Sequence, residues 1–244
     1  MTKDSGITSG RRRRLLALLL APVVLVSVAS AGTAHARVAA APVRPTQGLV
    51  SLLRSHEARS KPTARSARLG LVPAKTPLTE GRTVLPVLAR RGVWLKVRLP
   101  GRPNGHTGWI NRAGTTRSVT PWRLVVSPSR RRVTVYLAGH PLRRFRAVVG
   151  KPSTPTPQGE FFVEESIALR DGDVGAPFAL ALSARSNVLQ EFDGGPGQIA
   201  LHGIANVGGV LGTAVSHGCV RLAGDAMRWL VARIGPGVPV TIVR

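Results

Sequence analysis

Apolar residues along this chain fall into short runs, and the most regular lies from Val93 to Leu99. There Val93, Leu95, Val97 and Leu99 alternate with Trp94, Lys96 and Arg98, the period of two that marks a half-buried strand. Thr83 to Leu88 and Gly108 to Asn111 are further β-type runs. The stretch Pro100-Gly101-Arg102-Pro103-Asn104-Gly105 supplies a turn, because Asn-Gly accepts the positive φ values of a tight reversal. These strands predict a small β-barrel over 71–120. After Pro121 the runs Trp122 to Val126, Arg132 to Leu137 and Pro141 to Gly150 predict three antiparallel strands, with turns at Ser127-Pro128-Ser129 and Ala138-Gly139-His140. Gly159 to Glu165 and Phe178 to Leu182 predict two more. Met227, Leu230, Val231 and Ile234 recur at helical spacing and predict a helix from Ala223 to Ile234, ended by Gly235-Pro236-Gly237. Val238 to Val243 returns as a strand. The fold class expected is therefore mainly β with one C-terminal helix, the last domain spanning 121–244.

The first 70 residues read differently. Arg11 to Arg14 followed by the apolar stretch Leu15 to Ser30 and the small-residue pattern Ala34-His35-Ala36 predict an export signal over 1–36, with a mature start near Arg37. The alternative is an uncleaved anchor, because the apolar run borders on the roughly 18 residues a membrane span requires. Either way the bulk of the chain is expected outside the cytoplasm, touching membrane only through this segment. From Arg37 to about Leu69 the composition is Ala, Pro, Ser, Thr and Arg with little periodicity. It predicts an extended linker over 37–70, with a short helix around Gln47 to Arg59 as the one element considered.

Charge narrows the partners. The chain carries 35 Lys+Arg against 11 Asp+Glu. The first 36 residues hold five of those cations and one of those anions, so the remainder is still at a formal +20. Such a field attracts polyanions without choosing among them. For an exported protein these are wall polymers, stem-peptide carboxylates and anionic lipid head groups. Nucleic acid is not expected: aromatic residues make up only 4% of the chain, too few for base stacking, and the arginines are scattered over every segment.

A single cysteine, Cys219, is present. In an oxidising compartment structural cysteines come in pairs, so a lone thiol is buried and inert, a link between chains, or a reactive group. Its neighbourhood decides. Ser216-His217-Gly218-Cys219-Val220-Arg221-Leu222 follows His202-Gly203 across a stretch that also holds Gly208, Gly209 and Gly212. Glycine at this density lets backbone approach a ligand closely. A cysteine of pKa about 8.5 is mostly un-ionised at neutral pH and needs an imidazole to take its proton. His217 is two residues away, about 7 Å by strand rise, whereas His202 can arrive from a neighbouring strand. His202 is therefore the candidate base and Cys219 the candidate nucleophile. The amides of His217, Gly218 and Cys219 are candidate oxyanion donors. The Gly203 carbonyl is the expected partner of the second imidazole nitrogen, since no acidic residue lies between Asp193 and Asp225. Arg221 either clamps a substrate carboxylate or bonds loop carbonyls. A zinc site built from His202, His217 and Cys219 lacks the spacing of structural zinc sites, so no metal is expected.

The string Ser216 to Leu222, with His202-Gly203 seventeen residues before the cysteine, resembles the active-site signature of L,D-transpeptidases of the YkuD type. A second block agrees: Val149-Gly150-Lys151, then Thr154-Pro155-Thr156-Pro157-Gln158-Gly159-Glu160-Phe161. The resemblance covers Trp122 to Arg244. It implies a β-sandwich-like catalytic domain, no cofactor, and acyl transfer between peptidoglycan stem peptides through a cysteine thioester, giving 3→3 cross-links. His202 matches the family base and Cys219 the nucleophile, with Gly203, Ser216, His217, Gly218 and Arg221 as substrate-side positions. Some members carry a flap tyrosine, whereas the only tyrosine here is Tyr136, in an early strand. The run Val84 to Ile110, with Trp94-Leu95-Lys96-Val97 and Gly108-Trp109-Ile110, is similar to bacterial SH3-like domains, which implies a wall-targeting module; the alternative is a β extension with no binding role. Two further functions stay open at this point: an L,D-carboxypeptidase using the same site, and a non-enzymatic wall-binding protein. A papain-like enzyme would place its cysteine before its histidine, the reverse of the order here.

Overall fold

The computed structural model describes residues 43–244, Asp193 excepted. The expected export segment, and the start of the expected linker, lie outside the described residues.

Two sheets account for most of the chain. The first is built from β1 (Gln47–Leu52), β2 (His56–Arg59), β3 (Arg68–Val72), β4 (Val84–Arg91), β5 (Trp94–Arg98), β6 (Thr107–Asn111) and β7 (Thr115–Thr120), in the order β3-β2-β6-β5-β4-β1-β7. Strand β5 has the expected alternation, with Leu95 and Val97 buried and Trp94, Lys96 and Arg98 half-buried. Val93 falls outside the strand and is exposed.

The extended linker over 37–70 is corrected by this sheet, as is the short helix at Gln47 to Arg59. Strands β1, β2 and most of β3 occupy those residues, and the sheet begins at Gln47 rather than near 71. The physical reason is non-local. Leu49, Val50 and Leu52 of β1 become buried only because β4 and β7 pair on either side of the strand. Gln47, polar in the sequence, is held by its side-chain amide donating to the Val87 carbonyl at 2.7 Å.

The second sheet comprises β8 (Trp122–Ser127), β9 (Arg132–Leu137), β10 (His140–Arg146), β12 (Gly159–Ala168), β13 (Phe178–Arg185), β14 (Gln198–Gly203), β16 (Val220–Leu222) and β17 (Pro239–Ile242). Their order is β10-β9-β8-β17-β12-β13-β14-β16. The short strands β11 (Val149–Gly150) and β15 (Ala214–Ser216) pair separately, so the single strand expected from Pro141 to Gly150 is broken at Ala147. Among the described residues one α-helix occurs, α1 (Gly224–Val231), which buries Ala226, Met227 and Leu230. Leu124, Val133 and Val135 from one end of the sheet share a single core with Leu180, Leu201, Val220 and α1 from the other. The sheet therefore closes over its own core, in the sandwich-like, mainly β arrangement expected.

The two sheets are joined through β12. Alternation sends Phe161 into the core of the second sheet and its neighbour Phe162 into the core of the first. Further along the strand, the buried Glu165 carboxylate accepts from Thr79 N at 2.7 Å, Thr79 Oγ1 at 2.8 Å and Leu78 N at 3.3 Å, all in the first half of the chain. Phe162 is 1% exposed, so Phe162→Ala is expected to destabilise the protein by about 3–5 kcal/mol. Exposed Leu53 changed to alanine should cost no more than about 0.5 kcal/mol, and urea unfolding of both variants measures the contrast.

Candidate active site

Strands β14 and β16 lie side by side in parallel, and their pairing places the candidate residues. Ile199 and Leu201 of β14 enter the core while Gln198, Ala200 and His202 face the other way. In β16 Val220 and Leu222 enter the core, leaving Arg221 on the opposite face. The register sets Leu201 against Val220, His202 against Arg221 and Gly203 against Leu222. One step earlier, Ala200 stands beside Cys219, so Cys219 and His202 share a face on adjacent strands, two positions apart. A rise of about 3.3 Å per residue and a strand spacing of about 4.8 Å put their Cβ atoms about 8 Å apart.

Each ring nitrogen of His202 has a separate task. Nδ1 lies 2.8 Å from the Gly203 carbonyl, so it carries the proton and Nε2 is left as the basic nitrogen. The ring is also backed by glycine. Gly175, at φ +85°, is so close that a Cβ there would lie 2.5 Å from Nδ1, and a Cβ on Gly203 would run into the Ala176 carbonyl. Gly175 and Gly203 are tied by a 2.7 Å backbone bond. Gly175 carried no site signal in the sequence, because it lies 27 residues before His202 and outside both signature blocks.

The loop before Cys219 is held by hydroxyls. Ser216 is fully buried, and its Oγ donates to the Cys219 carbonyl at 2.6 Å and accepts from Gly218 N at 3.2 Å. Thr156 Oγ1 donates to the Gly218 carbonyl at 2.8 Å and accepts from Gly150 N at 2.9 Å. Thr154 Oγ1 donates to the Ser216 carbonyl at 3.2 Å. Both threonines belong to the second signature block, which therefore buttresses the cysteine loop. Gly218 takes φ +122°, a conformation closed to other residues, and a Cβ there would press on Ile199. Because Ser216 occupies the Gly218 amide, that group drops out of the expected oxyanion donors, leaving the amides of His217 and Cys219.

His217 and Arg221 have distinct placements. His217 is exposed and stacked on Phe192, ring centroids 5.6 Å apart. Arg221 is only 9% exposed, and its terminal nitrogen donates to the carbonyls of Val207 at 3.2 Å and Gly208 at 3.0 Å. Of the two roles considered for Arg221, loop carbonyls rather than a substrate carboxylate take its guanidinium. Its Nε is buried without a partner among the described residues. Among the described residues no group of three His, Cys, Asp or Glu side chains could hold a metal ion.

Electrostatics favours a neutral resting pair. Burial pushes the Cys219 thiol up, opposed by the Ala200 amide directed at the sulfur and by the Arg221 charge. Burial pushes His202 down, opposed by its bond to the Gly203 carbonyl, with Arg221 lowering it further. Both shifts disfavour charge. The sulfur's other close contact is the Gln198 carbonyl, at 4.0 Å.

Alkylation of Cys219 by iodoacetamide is expected to rise with pH along one curve whose midpoint lies above the roughly 8.5 of a free cysteine. A rate plateau reaching down to pH 6 would instead report a resting ion pair. Gly175→Ala displaces the His202 ring and should lower steady-state turnover by about 10²-fold.

Residues 121–242 match the model of the L,D-transpeptidase catalytic domain, YkuD. L,D-transpeptidase 1 of Mycobacterium tuberculosis (strain ATCC 25618 / H37Rv) is 25% identical over 268 aligned residues, covering 94% of this chain and 98% of that one. The YkuD protein of Bacillus subtilis (strain 168) is 28% identical over 149 residues, covering 60% and 73%. Among solved structures, L,D-transpeptidase 3 of Mycobacterium tuberculosis in complex with a faropenem-derived adduct is 15% identical, with a TM-score of 0.43 over 66% of this chain and 91% of that one. The matched segment takes in half of the chain and both signature blocks, and the chain belongs to the L,D-transpeptidase (YkuD) family, whose members are acyltransferases.

Proposed function

We propose that this chain is an exported peptidoglycan L,D-transpeptidase that forms 3→3 cross-links through a thioester on Cys219. The observation that carries the reading is the parallel pairing of β14 with β16, which presents His202 Nε2 and Cys219 Sγ on one face. In the first half-reaction Sγ attacks the carbonyl of the diamino acid's L-centre in a tetrapeptide stem. The C–S bond forms and the C–N bond to terminal D-Ala breaks. The thiol proton passes to His202 Nε2 as attack proceeds and then to the departing D-Ala amine, which suits a pair that is neutral at rest. In the second, the side-chain amine of a neighbouring stem attacks the thioester; the new C–N bond forms, the C–S bond breaks, and the amine proton returns to sulfur through His202. The amides of His217 and Cys219 receive the oxyanion in both. Water in place of the acceptor amine gives the L,D-carboxypeptidase outcome.

Two features extend the reading. The first 36 residues have the charge, apolar and small-residue order of an export signal, which supports action at the wall. Anionic wall polymers are the proposed second partner. From Trp122 to Lys151 the sequence holds no Asp or Glu, while Arg130, Arg131, Arg132, Arg143, Arg144 and Arg146 are all exposed around β9 and β10.

Incubation of the purified protein with disaccharide-tetrapeptide is expected to yield 3→3 dimers and free D-Ala. Cys219→Ala should abolish both, and His202→Ala should lower the rate by about 10²–10⁴-fold. Tripeptide without dimer supports the carboxypeptidase. A carbapenem is expected to add its mass to Cys219, and a protein with neither adduct nor turnover is a binding protein instead.

A further inference from the structure

The loop Ser186 to Gly197, between β13 and β14, is fastened from outside the catalytic domain. The turn joining β5 to β6 carries Arg102 and Asn104. Arg102 donates to the carbonyls of Pro196 at 2.8 Å, Ser186 at 2.7 Å and Leu189 at 3.1 Å. Asn104 donates to the Arg185 carbonyl at 2.7 Å and accepts from the Arg185 amide at 2.8 Å, reproducing with a side chain the paired bonds of a strand partner. Its amide nitrogen also reaches Asn187 Oδ1 at 2.9 Å. Among the described residues Arg102 faces carbonyls alone, the partners of an arginine that fixes a loop rather than pairs a charge.

Within the loop, Phe192 and Gly195 exchange two backbone bonds of 2.9 and 3.0 Å. The turn so formed presents the Phe192 ring, 51% exposed, flat against His217 with 29° between the planes. His217 is two residues from Cys219. An exposed phenylalanine on a short loop gains little from the fold itself, yet this one is aimed at the cysteine loop by contacts drawn from another sheet.

We propose that Arg102 and Asn104 are positioning residues for the catalytic site: they hold the 186–197 loop so that the stacked rings of Phe192 and His217 form the surface on which the aliphatic part of the acyl-donor stem peptide rests beside Cys219. The inference rests on the transpeptidase reading above. Two ring faces without a formal negative charge suit the methyl and methylene groups of a stem peptide, while the reacting carbonyl meets the sulfur. Loss of the surface weakens donor binding and leaves the sulfur as it is.

The test uses the full chain as wild type, Phe192→Ala, Phe192→Trp and the double variant Arg102→Ala/Asn104→Ala. For disaccharide-tetrapeptide, Phe192→Ala and the double variant are expected to raise KM about tenfold with kcat within about threefold. Phe192→Trp, which keeps a stacking ring, should return KM to near the wild-type value. Iodoacetamide, too small to need the surface, should alkylate Cys219 at the wild-type rate in all four proteins. Amide exchange over 186–197 should quicken in the double variant and not in Phe192→Ala. A fall in kcat at constant KM, alkylation that falls with turnover, or unchanged loop exchange in the double variant overturns the proposal. A wild type that turns over no stem peptide overturns the transpeptidase reading and the substrate contact with it, while loop exchange separately decides whether Arg102 and Asn104 brace the loop.

Discussion

The parallel pairing of β14 with β16 is the constraint from which the candidate chemistry follows. Side chains alternate with a period of two, so a ladder that buries Ile199, Leu201, Val220 and Leu222 must turn Ala200, His202, Cys219 and Arg221 together to the other side. A slip of one residue in either strand would bury a charged arginine in the core or part the cysteine from the histidine. The hydrophobic core thus enforces the register of the candidate pair, and no direct bond between the two side chains is needed to hold it. Parallel strands also require a long crossover, which here runs from Ile204 to Cys219 through β15 and opens with the glycine-rich stretch Ile204 to Thr213. Arg221 bonds that crossover at Val207 and Gly208, so the residue opposite His202 in the ladder ties down the segment linking its strand to the histidine's.

The neutral resting pair has a chemical consequence. Oxidation of a cysteine follows its thiolate character and its exposure. A half-buried thiol pushed up by burial is shielded on both counts in the oxidising compartment proposed for this chain. Arg221 works in both directions: it steadies a thiolate once formed, yet it lowers the basicity of His202. The Gly203 carbonyl offsets that loss through Nδ1, keeping Nε2 a usable base. In the proposed mechanism charge would separate during attack rather than before it, with the Ala200 amide already directed at the sulfur.

Much of this was legible in the sequence where a signal is local. Leu95 and Val97 announce β5 by alternation, Met227 and Leu230 announce α1 by helical spacing, and the motif from Ser216 to Leu222 announces the family. What was hidden depends on residues far apart in the chain. Strand β1 carries no charge but buries two neighbouring residues, Leu49 and Val50, so it shows no clean alternation, and β2 is four residues with a charge at Glu57 and at Arg59. Their burial is conferred by β4, β7 and β6, strands that come later in the chain. Gly175 behind His202 and the Ala200 amide at the sulfur are backbone relations that no residue type advertises. Thr154 and Thr156 stood in plain view in the second block, but as the outline of a turn, not as hydroxyls gripping the carbonyls of Ser216 and Gly218.

The first sheet is bound to the second through β12, and the same strand reaches on to the candidate site. Phe161 and Phe162 fill two cores from one strand, so neither core can loosen without moving β12. Glu165 adds polar bonds to Leu78 and Thr79 along the same strand. On β12 too, the buried Glu164 accepts from Arg185 at 3.1 Å and from Gln198 at 3.2 Å, and burial raises its pKa despite the Arg185 charge. Gln198 opens β14, and its carbonyl faces Cys219 Sγ. A continuous chain of packed and hydrogen-bonded groups therefore runs from the first sheet through β12 to the sulfur, beside the separate contacts of Arg102 and Asn104 with the 186–197 loop. Were the first sheet only a tethered binding module, a flexible link would have served. That it contributes to the setting of both the cysteine and the loop next to it argues that the catalytic unit here begins at Gln47, well before the boundary at residue 121.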